Sequence, residues 1–329
     1  MKIAVLGAGA WGTAIGISLA ARHDITLWVR DPAQCAAMRS TATNQRYLPG
    51  FALPVGIGLE TRMDAAVQGS DLALLAVTAS GLRQTLVQLR EVRSQAPVTW
   101  LCKGFEREHA KLPHQVCAEV LDSAIPRGAL SGPSFAEEVA RGLPTALTLA
   151  SSDSRWALSL ARELHGPTLR VYTSDDVIGV EVAGAVKNVM AIAAGICDGL
   201  ALGLNARAAL MTRGLAEMTR LGVRMGGRIE TFMGLAGIGD LILTCTGDLS
   251  RNRRVGLALA RGAALDTVLT ELGHVAEGVY TAKEVMRIAR ELAVDMPISR
   301  AVHGVLFDGL APVKAVNALL EREPKAEFR

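Results

Sequence analysis

The chain has 329 residues, half of them hydrophobic and a fifth charged, a globular composition on a length that exceeds one ordinary core, so two domains are expected. A net charge of +3 is small for that length, and with no basic run carrying interleaved aromatics there is no nucleic-acid footprint. Five scattered cysteines without a C-x-x-C pair, and six histidines without ligand spacing, point to reduced thiols in a cytoplasmic compartment and against a metal site.

Met1 leads straight into the strand-like run Lys2 to Leu6, so no cleavable leader is expected. The run passes into Gly7-Ala-Gly-Ala-Trp-Gly12 and then a helix, Thr13 to Arg22, which is G-x-G-x-x-G between a strand and a helix. In that setting Gly7 permits the tight turn, Gly9 lets backbone approach a pyrophosphate, and Gly12 lets helix and strand pack closely. The helix N-terminus then faces the phosphates. Ile25 to Val29 is the second strand, and Arg30 stands 18 residues beyond Gly12, where an acidic residue would select NAD. A guanidinium there receives a 2′-phosphate, so NADPH should be accepted beside NADH; the plainer reading is a solvated arginine. Asp31 either joins that site or caps the helix that Pro32 opens.

Residues 44–62 read as a loop with a short strand, and Asp71 to Val77 as a strand buried on both faces. Val98 to Cys102 repeats the pattern and ends in Lys103, at the strand edge where ligands of doubly wound sheets bind. A helix over 111–122 and further strands around Ala129 to Ser134, Thr145 to Ala150 and Leu169 to Thr173 follow. From Asp176 onward the apolar spacing is helical, with breaks near Gly203, Gly226-Gly227, Gly234 to Gly239, Gly262 and Gly273. The expected architecture is an α/β, Rossmann-like, doubly wound domain over residues 1–175 followed by an all-α domain over 176–329.

The helical part opens on Val182-Ala-Gly-Ala-Val-Lys-Asn-Val-Met-Ala-Ile-Ala-Ala-Gly195. Glu181, Lys187 and Asp198 interrupt this region short of the roughly 18 to 20 apolar residues a membrane crossing needs, so no membrane insertion is expected. On a helix Lys187 is flanked by Ala183, Gly184, Met190 and Ala191, none of which is a carboxylate. Desolvation there should favour its neutral form and suit it to proton transfer, unless its stem merely crosses apolar surface to water. Further on, Ser250-Arg-Asn-Arg-Arg254 mixes forked cationic donors with neutral ones after a glycine break, as a phosphate cradle would, although basic loops are commonly just solvated.

Taken together, G-A-G-A-W-G-T-A (7–14), C-K-G (102–104), S-G-P-S-F-A (131–136), G-A-V-K-N-V (184–189), G-L-A-G-I-G-D-L (234–241), S-R-N-R-R (250–254) and A-E-G (276–278) span nearly the whole chain in order. In these segments the sequence resembles the bacterial NAD(P)-dependent glycerol-3-phosphate dehydrogenases. The resemblance implies reduction of dihydroxyacetone phosphate to sn-glycerol 3-phosphate with NADPH or NADH, feeding phospholipid synthesis, with Lys187 as the proton donor. It implies a substrate site of Lys103, Gly132, Ser134, Lys187, Asn188, Asp240, Ser250, Arg251 and Asn252, with Asp240 orienting or balancing Lys187. It further implies cofactor contacts from Gly7, Gly9, Ala10, Trp11, Gly12, Arg30, Lys103, Ala136, Arg251, Val275 and Glu277. Many relatives carry Ser where this chain has Ala10, which removes one hydroxyl contact and leaves the backbone donors. The partner so implied is a small phosphorylated substrate, and a homodimer is compatible with the sequence. Two rivals are another two-domain hydroxy-compound dehydrogenase, which would not need Ser250 to Asn252, and a non-catalytic NADP-binding sensor, which would have no use for Lys187.

Overall fold

Ile3, Ala4, Val5 and Leu6 have no exposed surface, and a strand with four consecutive buried residues must be covered on both faces. This strand, β1 (Lys2–Leu6), lies inside the single large sheet of the computed structural model, which describes residues 1–107, 109–272, 276–324 and 326–327. In chain order it is followed by α1 (Ala10–Leu19), β2 (Asp24–Trp28), α2 (Pro32–Thr41), β3 (Thr43–Asn44), β4 (Leu48–Ala52), β5 (Gly58–Glu60) and α3 (Met63–Val67). Then come β6 (Leu72–Leu75), α4 (Ala79–Glu91), β7 (Val98–Trp100), α5 (Pro113–Val120), β8 (Arg127–Ser131), α6 (Ala136–Ala140), β9 (Thr145–Ala150), α7 (Ser154–Leu164) and β10 (Leu169–Ser174).

The sheet order is β10-β9-β8-β7-β6-β1-β2-β5. From β5 to β8 every pair is parallel. Alternate residues of β1 feed different cores: Ala4 and Leu6 pack with Leu82, Leu86 and Val116, whereas Ile3 and Val5 pack with Ile15, Leu19 and Leu160. Helices α4 and α5 thus cover one face and α1 and α7 the other, the doubly wound arrangement expected. Strand β1 leads to β2 on one side while its other neighbour, β6, begins the second run, so the crevice for a ligand opens beyond the carboxyl ends of β1 and β6.

Three details differ from the sequence expectation. Strand β9 runs antiparallel to β8, because α6 and its loops turn the chain back along the sheet edge instead of crossing over it. The stretch 44–62 holds a two-stranded hairpin, β3 with β4, and an edge strand, β5, whose partly exposed residues carry little apolar signal. The helix expected over 111–122 starts only at Pro113, whose fixed φ and missing N–H suit a first turn, and closes at Val120.

The helical part comprises α8 (Val177–Gly199), α9 (Gly203–Arg224), α10 (Ile229–Phe232), one π-helical turn (Leu235–Gly239), α11 (Asp240–Thr246), α12 (Arg251–Ala260), α13 (Leu265–Leu272), α14 (Glu277–Glu291), α15 (Pro297–Phe307) and α16 (Pro312–Leu320). Helix α8 is its axle, buried without interruption from Gly179 to Cys197. Two stretches, Val177–Gly199 and Ile229–Thr246, are long and apolar enough to cross a membrane; 89% of the apolar window of the first is enclosed by protein, as in a core helix. Helix α12 lies in backbone contact with α8: a Cβ on Gly195 would stand 2.0 Å from the Arg253 carbonyl oxygen, and one on Gly256 2.0 Å from that of Ile192. All five cysteines are unpaired.

Helix α15 is anchored by a buried carboxyl group. Glu217 of α9, 1% exposed, accepts the backbone N–H of Ile298 at 2.6 Å and both the N–H and hydroxyl of Ser299 at 3.1 Å. Burial pushes its carboxyl up to about 7, against these hydrogen bonds. At pH 5, Glu217→Ala should cost about 3 kcal/mol through orphaned donors, read as a lower urea midpoint at unchanged m. Because the folded pKa lies above the ordinary 4.5, the native state holds the extra proton between the two values. The gap between wild type and variant should therefore narrow as pH rises from about 4.5 to about 7.

Candidate active site

Four chain segments meet around one carboxylate. Asp240, 1% exposed, opens α11 directly after the π-helical turn. Its Oδ1 accepts from Lys187 Nζ at 2.5 Å and its Oδ2 from Lys103 Nζ at 2.6 Å. Lys103 follows β7 and also donates to the Gly132 carbonyl at 3.0 Å; Lys187 comes from the middle of α8 and also donates to Thr244 Oγ1 at 2.9 Å. Each ammonium has three donors and two protein partners, so each keeps one N–H for a ligand.

Burial lowers Lys187, and the Lys103 charge adds to this, while Asp240 pulls the other way; the result is about 8. Burial alone would raise Asp240, yet the two lysines hold its carboxyl below the ordinary value. Burial thus lowers Lys187 as expected, while the lack of a carboxylate partner read from its helix neighbours is corrected. Its helix neighbours offer no carboxylate, but Asp240, 53 positions along the chain, keeps it mostly protonated at neutral pH. Thr244 was not singled out in the sequence. It lies one helical turn after Asp240 on α11 and donates to the Asp240 carbonyl at 2.6 Å, so the i,i+4 spacing from that acid was the available signal.

The basic segment separates into distinct jobs. Ser250, 3% exposed, is the N-cap of α12, its Oγ accepting the Arg253 N–H. Arg253 is engaged by Asp198 and Asp248. Arg251 has no hydrogen bond or ion pair among the described residues. It is exposed to solvent, and partial desolvation together with the Arg254 charge lowers its guanidinium against the raising pull of Glu277. Asn252 is half committed: its amide donates to Asn188 Oδ1 at 2.9 Å and its oxygen accepts the Gly278 N–H at 3.0 Å. Asn188 in turn donates to the Gly184 carbonyl. Glu277, raised by burial, accepts the Ala79 N–H at the start of α4 at 3.3 Å and so spans from the helical part to the sheet part. Lys187, Arg251 and Glu277 are thus each followed by a member of one hydrogen-bonded chain, Asn188 to Asn252 to Gly278.

The phosphate-facing loop is built from backbone. Gly7 has φ +119°, and a Cβ on it would lie 2.6 Å from the Ala76 carbonyl oxygen; a Cβ on Gly12 would meet the Gly7 oxygen at 2.0 Å. Gly9 faces open space, with no atom within 4 Å of a Cβ built there. Helix α1 begins at Ala10 with neither a side-chain cap nor an acidic residue in its first turn, so its first N–H groups are free for an anion. A dinucleotide pyrophosphate fits this cradle. Trp11 Nε1 is held by Ser134, through Oγ at 3.1 Å and the carbonyl at 3.2 Å, and Ser134 Oγ donates to the Gly132 carbonyl that also binds Lys103. Ala136 opens α6 and packs with Leu48 and Phe51 of the hairpin. Arg30 is exposed beyond β2 with no hydrogen bond or ion pair among the described residues, and Asp31 caps α2 by accepting the Ala33 N–H at 3.0 Å. Val275 lies outside the described residues.

A doubly wound sheet with this loop, joined to a helical part that supplies a buried lysine, defines a two-domain NAD(P)-linked dehydrogenase. Two family profiles match the chain, the N-terminus of NAD-dependent glycerol-3-phosphate dehydrogenase over residues 2–157 and its C-terminus over 176–317. Glycerol-3-phosphate dehydrogenase (NAD(P)+) of Dechloromonas aromatica is 58% identical over 328 residues, covering all of both chains. That of Nitrosospira multiformis is 57% identical over 332 residues, again covering all of both. The crystal structure of glycerol-3-phosphate dehydrogenase from Coxiella burnetii superposes with a TM-score of 0.94 at 42% identity, covering 98% of this chain and 99% of that one. The chain belongs to the NAD-dependent glycerol-3-phosphate dehydrogenase family.

Arg30, with no partner among the described residues, stands where a 2′-phosphate would be met. Arg30→Asp should lower the NADPH to NADH ratio of kcat/KM by roughly tenfold or more, the size of a lost charge-assisted contact; an unchanged ratio would place the 2′-phosphate elsewhere.

Proposed function

We propose that the chain reduces dihydroxyacetone phosphate to sn-glycerol 3-phosphate and runs the reverse oxidation, with Lys187 as the acid in one direction and the base in the other. The observation that carries the reading is the buried carboxylate shared by two lysines, each with one N–H unspent. Bound NADPH or NADH supplies the hydride. Lys187 gives its proton to the ketone oxygen as that oxygen gains charge, and Lys103 donates a hydrogen bond to the same oxygen. Asp240 holds both ammonium groups in place, offsets the repulsion between them and lowers the cost of burying Lys187. Thr244 fixes the Lys187 head from a second side.

Arg251 anchors the phosphate dianion, helped by the second amide hydrogen of Asn252 and the remaining N–H groups at the start of α12. This remote binding energy positions the carbonyl against the lysines. Gly132 and Ser134 form the wall behind Lys103, and Glu277 closes the nicotinamide side. The product would enter phospholipid synthesis from the cytoplasm. A non-catalytic sensor would gain nothing from two lysines sharing one buried carboxylate, and a dehydrogenase of unphosphorylated substrates would gain nothing from an Arg251 left without a partner among the described residues.

Lys187→Ala should lower kcat by at least about 10², the lower end for general acid catalysis, while NADPH binding followed by fluorescence stays within about twofold. With Lys187 brought to about 8, kcat/KM for ketone reduction should fall as pH rises through that value, because the proton is lost. The reverse oxidation, which needs the free base, should rise over the same range. A flat profile in both directions would remove Lys187 from proton transfer.

Arg251→Ala should weaken dihydroxyacetone phosphate by roughly 10² in kcat/KM and leave the slow turnover of unphosphorylated dihydroxyacetone nearly unchanged. Equal losses on both substrates would assign the arginine to the cofactor.

A further inference from the structure

The hairpin β3–β4 is not surface decoration. Its first strand carries Asn44, 1% exposed, whose amide donates to the Ala8 carbonyl at 3.0 Å and to Thr13 Oγ1 at 2.8 Å. Those are residues of the glycine loop and of α1. Gln34 of α2 donates to the same Ala8 carbonyl at 3.0 Å. Between Asn44 and Leu48 the chain makes a tight turn, closed by the Tyr47 N–H on the Asn44 carbonyl and side-chain oxygens at 3.3 Å each. The turn therefore has a fixed position relative to the pyrophosphate loop, and Arg46 at its tip reaches across to Asp31. The contact is 3.4 Å long, between side chains 62% and 47% exposed, and such a pair is worth little by itself.

Asp31 is the residue after Arg30 and the cap of α2, so Arg46 stands beside the α2 N-terminus and one residue from Arg30, at the mouth beyond the carboxyl end of β2. That mouth is where a dinucleotide of this fold places its adenosine ribose. We propose that Arg46 is the second cation of the 2′-phosphate site: parked on Asp31 in the free protein, it moves to the phosphate of NADPH and stays on Asp31 when NADH binds. The proposal rests on the assignment of the glycine loop as the dinucleotide site. Its physical content is an exchange. A singly charged carboxylate already spent on a helix cap is a weaker partner for a guanidinium than a phosphate carrying up to two charges and three acceptor oxygens. Arg46 can leave Asp31 without stranding a buried charge, because both groups are half in water. Arg30 by itself would read only the presence of the anion; with Arg46 anchored through Asn44, the site also fixes its distance from the pyrophosphate.

The test uses binding, not turnover. Isothermal titration of the full chain with adenosine 2′,5′-bisphosphate and with 5′-AMP, which differ only by the 2′-phosphate, reads the site directly. Wild type should bind the bisphosphate more tightly. Arg46→Ala should lose roughly tenfold on the bisphosphate, the size of one charge-assisted contact, with a less than about twofold change on 5′-AMP, and Arg46→Lys should recover part of the loss. Asp31→Asn keeps an equally good helix cap and releases Arg46, so it should tighten the bisphosphate, a change of opposite sign that a merely structural hairpin role would not produce. Equal losses on both ligands with Arg46→Ala, or none on the bisphosphate, would overturn the role of Arg46 while leaving the dinucleotide site intact. Failure of wild type to distinguish the two ligands would overturn the 2′-phosphate site altogether, and failure to bind either would overturn the assignment of the glycine loop.

Discussion

The Asp240 carboxylate holds the proposed catalytic region together. Two lysines side by side repel each other, and the buried Lys187 has also lost hydration, costs that Coulomb attraction to one well-placed anion can offset only when the geometry is close. Asp240 meets that demand by giving one oxygen to Lys187 and the other to Lys103. Lys103 comes from the sheet and the other two from the helices, so the same carboxylate ties the two parts of the molecule across the cleft. The residues around it serve this approach. The π-helical turn brings Asp240 in, and Gly184 lets α8 pass against the Lys103 stem, where a Cβ would lie 3.4 Å from Lys103 Cγ.

Three side chains of the proposed site are kept in register by their successors in sequence. Asn188, Asn252 and Gly278 form a buried hydrogen-bonded chain, and Gly278 is glycine because a Cβ there would stand 2.6 Å from the Asn188 carbonyl oxygen. The helices carrying Lys187, Arg251 and Glu277 are thereby locked one residue beyond each functional position. The functional side chains themselves are left with spare hydrogen-bonding capacity. The dinucleotide half follows another plan, offering mainly backbone, with side chains such as Asn44, Gln34 and Ser134 bracing the loops that present it. That division suits the ligands: a pyrophosphate can be held by amides, whereas a ketone that gains charge needs a mobile proton.

Most of the fold was legible in the sequence, for stated physical reasons. Strands buried on both faces leave continuous apolar runs, so β1 and β6 stand out, and the switch to helical spacing after Asp176 marks the second part. The glycine loop is legible because backbone contact with phosphate and strand excludes side chains at Gly7 and Gly12. Arg30 and the basic segment after Gly247 were visible as residue types in telling places. Of the hairpin and the short edge strand β5 only a single short strand was legible, since half-exposed strands of two to five residues carry little periodicity.

What the sequence by itself determined is therefore the sheet, the loop, the helical second part and the set of candidate side chains. Tertiary structure alone decided their partnerships. Neither residue spacing nor propensity relates Lys187 to Asp240, Asn252 to Gly278, or Asn44 to Ala8, because these contacts join segments between 26 and 53 positions apart that become neighbours only when the elements pack. The same packing separated Arg253, spent on Asp198, from Arg251, left unpaired. It also set the protonation of Lys187, since a pKa is fixed by burial and by nearby charge, and both are properties of three-dimensional position rather than of order along the chain.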